Sequence, residues 1–285
     1  MLRFLDAHTH VQFSAYDKDR EEVIKRAFGA GVGMVNVGTQ KDTSRNAVEL
    51  AETHKNMWAT IGLHPIHTAK SYHDAQELGG EEAAKGFTSR GEEFDYDYYK
   101  KLAENPRVVA IGECGLDYYR ATSDKRQETS DKQKEVFIKQ IELAHEVKKP
   151  LMIHCRSAFP DLIDILNSKS HILNPPSGII HFFSGTVEDA KKLLDLGFYF
   201  TFGGVITFVR DYDEVVKTIP VERILSETDA PYVTPAPYRG KRNEPAYVVE
   251  VVKKLAELRG TSIEEMAEQT LKNAEQIFGI NFSNP

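Results

Sequence analysis

Cysteine is almost missing from this chain: Cys114 and Cys155 are its whole complement. That excludes a disulfide framework and points to a reducing compartment. No segment approaches the ~20 consecutive apolar residues of a membrane span. Nor does the N-terminus lead from a basic stretch into a long apolar run, so no secretory signal is expected. Positive charge is also short: 36 Lys and Arg against 43 Asp and Glu leave a formal charge of −7. Coating nucleic acid needs clustered cations, so that way of life is excluded, but an enzyme meeting a few phosphates through bound metal ions is not. No repeat of constant period and no low-complexity linker divides the chain. Residues 1–285 therefore read as one soluble domain, cytoplasmic or else nuclear, with no membrane contact and no obligate protein partner evident.

What is present is an alternation of short apolar runs with longer amphipathic segments. Candidate strands are FLDAH (4–8), GMVNV (33–37), MWATIG (57–62), VVAIGE (108–113), PLMIHC (150–155), GIIHFF (178–183), FYFTFG (198–203) and RILSET (223–228). Their richness in Val, Ile and Phe suits strands buried on both faces. Helical patterns fill most of the gaps, with Thr186 and Asp189 as a capping box and IEEMAEQTLKNAEQIF (263–278) as the last helix. Strands alternating with helices suggest parallel βαβ units, and eight of them suggest a closed α/β barrel. An open doubly wound sheet competes, but no Gly-x-Gly-x-x-Gly follows the first strand to support it. The acidic, Gly-containing stretch 66–97 is long for a βα connection. It rises from the C-terminal face, either as a solvated excursion or as a lid.

Titratable residues then fall at the ends of the proposed strands. His8 and His10 close the first, Glu113 the fourth, His154 the fifth and His181 the sixth, while Asp229 follows the eighth. A parallel barrel gathers all of these on one C-terminal rim. Four imidazoles and two carboxylates match the ligand types of divalent metals, and six candidates suit two ions sharing a carboxylate. His64, just past the third strand, shares the rim and faces substrate. Arg156, two residues beyond His154, is placed for an anion or for an ion pair with a rim carboxylate; spacing does not choose. Alternation puts Asp6 on the face of His8 and His10, to orient an imidazole or to bond the barrel backbone. Cys114 and Cys155, each next to a ligand candidate, turn to the opposite face and pack under the helices. Asn243 in RNEP reads as a helix cap.

Taken together, DAHTH (6–10), GLHP (62–65), AIGECGLDYYR (110–120), MIHCR (152–156), HFFSG (181–185) and SETDAPYVTPAPYRGKRNEPAYV (226–248) make the chain resemble the TatD-family metal-dependent deoxyribonucleases of the amidohydrolase superfamily, from about Phe4 to Phe278. The resemblance implies a distorted TIM barrel with two divalent ions. One would be held by His8, His10, Glu113 and Asp229, the other by His154 and His181, with Glu113 bridging. It implies Mg²⁺ or Mn²⁺ for activity, with Zn, Fe, Ni or Co as alternatives, and DNA as substrate, attacked as single strands or at 3′ ends by a 3′→5′ exonuclease. Roles in DNA repair and DNA degradation are implied at family level. His64 and Arg156 match positions that contact the scissile phosphate, and Arg239 lies in the matching loop. Asp229 would orient the attacking water and take its proton. Other barrels of the superfamily bridge their metals with a modified lysine on the fourth strand, where this chain has Glu113. A hydrolase of a small amide, ester or phosphotriester is the competing expectation.

Overall fold

Eight runs of Val, Ile, Met and Phe form parallel strands in a computed structural model that describes residues 2–72, 88–119, 126–173 and 177–282. The strands are β1 (Phe4–Thr9), β2 (Val32–Val37), β3 (Met57–Ile61), β6 (Val108–Asp117), β7 (Leu151–Arg156), β8 (Gly178–Ile180), β9 (Phe198–Phe202) and β10 (Ile224–Ser226). They pair in that order. Helices alternate with them: α1 (Arg20–Gly29), α2 (Lys41–Thr53), α3 (Tyr96–Leu102), α4 (Arg126–Val147), α5 (Phe159–Ser168), α6 (Val187–Asp195), α7 (Asp213–Thr218), α8 (Val248–Arg259) and α9 (Ile263–Phe278). The result is the expected TIM barrel. Thr186 and Asp189 cap α6 reciprocally, and Ser262 caps α9 in the same way.

Two apolar layers hold the barrel. Leu5, Val35, Trp58, Val109, Met152, Ile179, Tyr199 and Leu225 give every barrel strand a side chain in one interior cluster, which Ile277 and Phe278 of α9 join. The alternate strand positions, such as Met34, Ile61 and Ile153, pack outward against helix residues such as Val48, Phe137 and Leu162. Cys114 and Cys155 belong to that outer layer, as alternation predicts. Burying each such Val, Leu, Ile or Phe contributes about 1.5–3 kcal/mol, so the strand ends that carry the polar residues are rigidly placed.

Three features differ from the expected elements. β6 runs on to Asp117 rather than stopping at Glu113. The 66–97 insertion, expected to be irregular, begins with a 3-10 turn (Pro65–Thr68) and an antiparallel pair, β4 (Lys70–Tyr72) with β5 (Thr88–Arg90). Its residues 73–87, with His73 among them, lie outside the described residues, as does Arg120 of the AIGECGLDYYR motif. Asn243 is no helix cap. Its Nδ2 donates to the carbonyls of Thr228 and Tyr232 at 2.9 and 2.6 Å, and the N-cap position of the helical turn after it falls on Glu244, whose side chain makes no capping bond.

The first and last strands do not form a ladder; the barrel closes through side chains and the segment past β10. Ser226 Oγ donates to the Leu5 carbonyl at 3.1 Å. Asp6 is fully buried and accepts from Thr228 N–H at 2.8 Å, Thr228 Oγ1 at 2.5 Å and His8 N–H at 3.3 Å. Asp6 therefore bonds the seam and touches no imidazole. The two-residue alternation that would have aimed it at the histidines is interrupted. Between Asp6 and Thr9 the β1–β2 register slips, three residues of β1 facing two of β2, as in a bulge. Asp6→Ala strands buried donors at the seam and is expected to cost about 2–4 kcal/mol, read as a lowered urea midpoint. An unchanged midpoint would show that the seam does not depend on Asp6.

Candidate metal centre

The C-terminal ends of the strands bring the six expected ligand residues to one cavity of about 230 Å³, lined by His10, Glu113, His154, His181 and Asp229 together with His64 and Arg156. His8 lies beneath it, fully buried. Two irregularities of the backbone make this convergence. Between Ile111 and Cys114, three residues of β6 face two of β7, which re-aims Glu113 at the axis. Gly112 permits this: its φ is +149°, and a Cβ there would lie 2.2 Å from the Met152 carbonyl. Asp229 has a left-handed backbone (φ +56°), held by its N–H bonding His8 O at 2.9 Å and by His10 N–H bonding Ala230 O at 2.8 Å. Phe182 and Val233, which also line the cavity, share positive φ. Such conformations cost of order 1–3 kcal/mol each and gather at functional sites.

Glu113 divides the site. Its Oε2 faces His8 Nε2 at 3.5 Å and His10 Nε2 at 4.0 Å. Asp229 Oδ1 lies 3.4 Å from His10 Nε2 and 3.7 Å from His8 Nε2, and the two Nε2 atoms are 3.2 Å apart. Donors held about 2.0–2.2 Å from one tetrahedral ion stand about 3.3–3.6 Å from each other; His8, His10 and Asp229 gather on about that scale and could hold a divalent cation, with Glu113 Oε2 beside the two imidazoles. The other oxygen, Oε1, faces His154 Nδ1 at 3.1 Å, His64 Nε2 at 3.2 Å and His181 Nε2 at 3.3 Å.

Hydrogen bonds decide which nitrogens can bind metal. His10 Nδ1 donates to Val37 O at 2.7 Å, leaving the Nε2 lone pair on the site. His154 turns its other nitrogen to Asp117 Oδ2 at 3.0 Å, and His181 turns its own to Glu227 Oε2 at 3.2 Å. His64 is the reverse case. Its Nδ1 accepts from Ile66 N–H at 3.1 Å, so the proton sits on Nε2 and the ring donates toward the site instead of ligating. Burial lowers the His64 pKa to about 4, which keeps that tautomer neutral.

Charge follows the same arrangement. Burial opposes ionisation of Glu113, yet the imidazoles of His64, His181 and His8 outweigh it and hold its pKa well below the usual carboxylate range. At Asp229, burial is likewise outweighed, there by the His10 hydrogen bond and by His181 and His8. Burial works against protonation of His181, but Glu227 and Glu113 push its pKa well up. Ionised carboxylates and imidazoles thus converge in a buried space, and a metal bound through His181 would have to displace its proton. A donor set of that kind fits divalent metal.

Asp117 and Glu227 were missed in the sequence, although a signal existed for both. Glu113, Gly115 and Asp117 share an alternation if the strand continues, and Asp117 pairs in register with Arg156. Glu227 stands two before Asp229 in SETD. Arg156 realises the ion-pair option: its Nε lies 3.0–3.1 Å from the Asp117 oxygens and Nη2 lies 2.9 Å from Oδ2. Arg239 is not among the cavity-lining residues; its Nη1 donates to Thr234 O at 2.8 Å. A larger cavity, about 380 Å³, opens at the barrel's other end beside Val108, Leu151 and Phe278, and no carboxylate is among its described lining residues.

Comparison with known proteins agrees with this geometry. Residues 5–279 match the sequence model of the TatD related DNases. The chain is 41% identical over 279 residues to the metal-dependent hydrolase YabD of Bacillus subtilis, covering 97% of this chain and 99% of that one. It is 36% identical over 284 residues to the 3′-5′ ssDNA/RNA exonuclease TatD of Erwinia tasmaniensis, covering 96% and 99%. Among solved structures, the TatD homologue YjjV of Escherichia coli superposes with a TM-score of 0.80 at 27% identity, covering 98% of this chain and 99% of that one.

Asp117 holds the His154 ring from behind, so Asp117→Ala is expected to weaken Mn²⁺ uptake by chelator-stripped protein about 10- to 100-fold. Titration calorimetry reads this directly, and wild-type affinity in the variant would remove Asp117 from the centre.

Proposed function

The chain belongs to the TatD related DNase family of metal-dependent hydrolases, and we propose that it hydrolyses phosphodiester bonds of single-stranded DNA from the 3′ end, using two divalent cations. The observation that carries this reading is Glu113, whose two oxygens face separate donor sets within one open cavity. The relative in Erwinia tasmaniensis named as a 3′-5′ ssDNA/RNA exonuclease supports the substrate class. His8, His10, Glu113 and Asp229 would hold one ion, and His154 and His181 the other with Glu113 shared. Mg²⁺ or Mn²⁺ would supply Lewis acidity toward the phosphoryl group.

The remaining steps fall to the chain's own side chains. Asp229 is the more open of the two acids, its side chain 18% exposed against 5% for Glu113. As a carboxylate it can orient a water and accept its proton. The Nε2–H of His64 faces Glu113 Oε1 at 3.2 Å, and a non-bridging phosphate oxygen entering the cavity would have to take that hydrogen bond over from Glu113. Arg156 is fixed to Asp117 through Nε and Nη2, which leaves Nη1 for a second phosphate oxygen. Arg239, outside the cavity lining, would meet the strand only beyond the scissile group.

Hydrolysis of a small amide, ester or phosphotriester is the second reading, favoured by the modest cavity and the −7 charge. End-labelled single-stranded DNA with Mg²⁺ or Mn²⁺ is expected to lose mononucleotides from its 3′ end. Chelator should stop this and added metal restore it, while Glu113→Ala abolishes turnover. Intact strands beside turnover of lactones, amides or phosphotriesters would transfer the assignment to the second reading.

A further inference from the structure

Among the described residues only two large apolar side chains are exposed: Tyr119 at 60% and Phe208 at 39%. Both lie on the rim that carries the cavity. Tyr119 stands two residues past the end of β6, and Phe208 follows the 3-10 turn (Gly204–Thr207) that leaves β9. Each ring is covered on one side by a guanidinium. Arg156 Cζ is 4.5 Å from the Tyr119 centroid, and Arg239 Cζ is 4.1 Å from that of Phe208.

Both rings are tied to the site rather than loosely displayed. Tyr119 N–H donates to Asp117 Oδ1 at 3.1 Å, and the same carboxylate holds Arg156 and His154. Tyr119 is thereby fixed relative to Glu113. On the other side, the Thr207 hydroxyl next to Phe208 accepts Ala236 N–H at 2.9 Å. Arg239 donates to Thr234, beside the cavity-lining Val233. An aromatic ring backed by arginine and open on its other face is what an unstacked nucleobase needs, while the guanidinium answers the adjoining phosphate. In an acidic chain these are local cations where a strand would run.

We propose that Tyr119 and Phe208 are stacking platforms for unpaired bases of the strand whose phosphate enters the cavity. The proposal rests on the nuclease reading and deepens it. Bases in a duplex are already stacked and paired, so platforms of this kind select single strands.

The test is equilibrium binding, by fluorescence anisotropy, of a labelled phosphorothioate oligothymidylate and of the same strand made abasic, both with Mn²⁺. Tyr119→Ala and Phe208→Ala are each expected to raise Kd about tenfold for the base-bearing strand and to leave the abasic strand unchanged. Tyr119→Phe retains the ring and is expected to bind as the wild type does. A disturbed arginine would weaken both strands equally. That result, wild-type affinity in both alanine variants, or no binding by the wild type would each overturn the proposal. Cleavage of an ordinary strand by the wild type judges the nuclease reading separately. Ring-dependent binding without cleavage would leave the platforms standing and remove the nuclease; cleavage with ring-independent binding would do the reverse.

Discussion

A buried carboxylate ringed by imidazoles is the constraint on which the rest of this structure depends. Glu113 is only 4% exposed, and His8, His64, His154 and His181 stand within 3.5 Å of its oxygens. An ionised carboxylate in such a place is tolerable only when charge or hydrogen bonds meet it on every side. The barrel supplies them from strands or loops far apart in the chain. No helix or hairpin could gather as many, because neighbouring residues of one element diverge after a turn or alternate between faces.

Placing that carboxylate requires departures from regular structure. The bulge and Gly112 in β6 turn Glu113 inward, and the left-handed backbone of Asp229 brings a second carboxylate to the same histidines. The seam is part of the same device. Backbone bonds from Asp229 and His10 across to the other end strand position the ligands and close the barrel at once. Fold stability and site geometry are coupled there through the same two backbone bonds.

Behind the donor atoms lies a layer that sets ring orientation. Val37 O, Asp117 and Glu227 each bond the nitrogen of a histidine that faces away from the centre. Ile66 N–H does the opposite to His64 and makes it a donor. Histidines within one cavity thus take different chemical parts, and residue type alone does not tell them apart. The tautomer is set by the partner of the far nitrogen.

Much of this could be read from the chain before any fold was known. Eight apolar runs marked the barrel strands, because strands buried on both faces must be apolar throughout, and polar residues at their ends marked the rim. His8, His10, Glu113, His154, His181 and Asp229 were legible for that reason. Asp117 escaped because a strand boundary was drawn at Glu113, and Glu227 because a buried acid beside a ligand looks like any other. Of the two parts expected for Asp6, the bond to the barrel backbone is the one realised; the imidazole option failed because a bulge leaves no mark in a sequence whose period it interrupts. Which nitrogen of each imidazole meets the centre, which acid bonds Arg156 and how the first strand meets the last were decided by tertiary structure alone. Each of these depends on distances between residues far apart in the chain, and periodicity carries only the information of one element at a time.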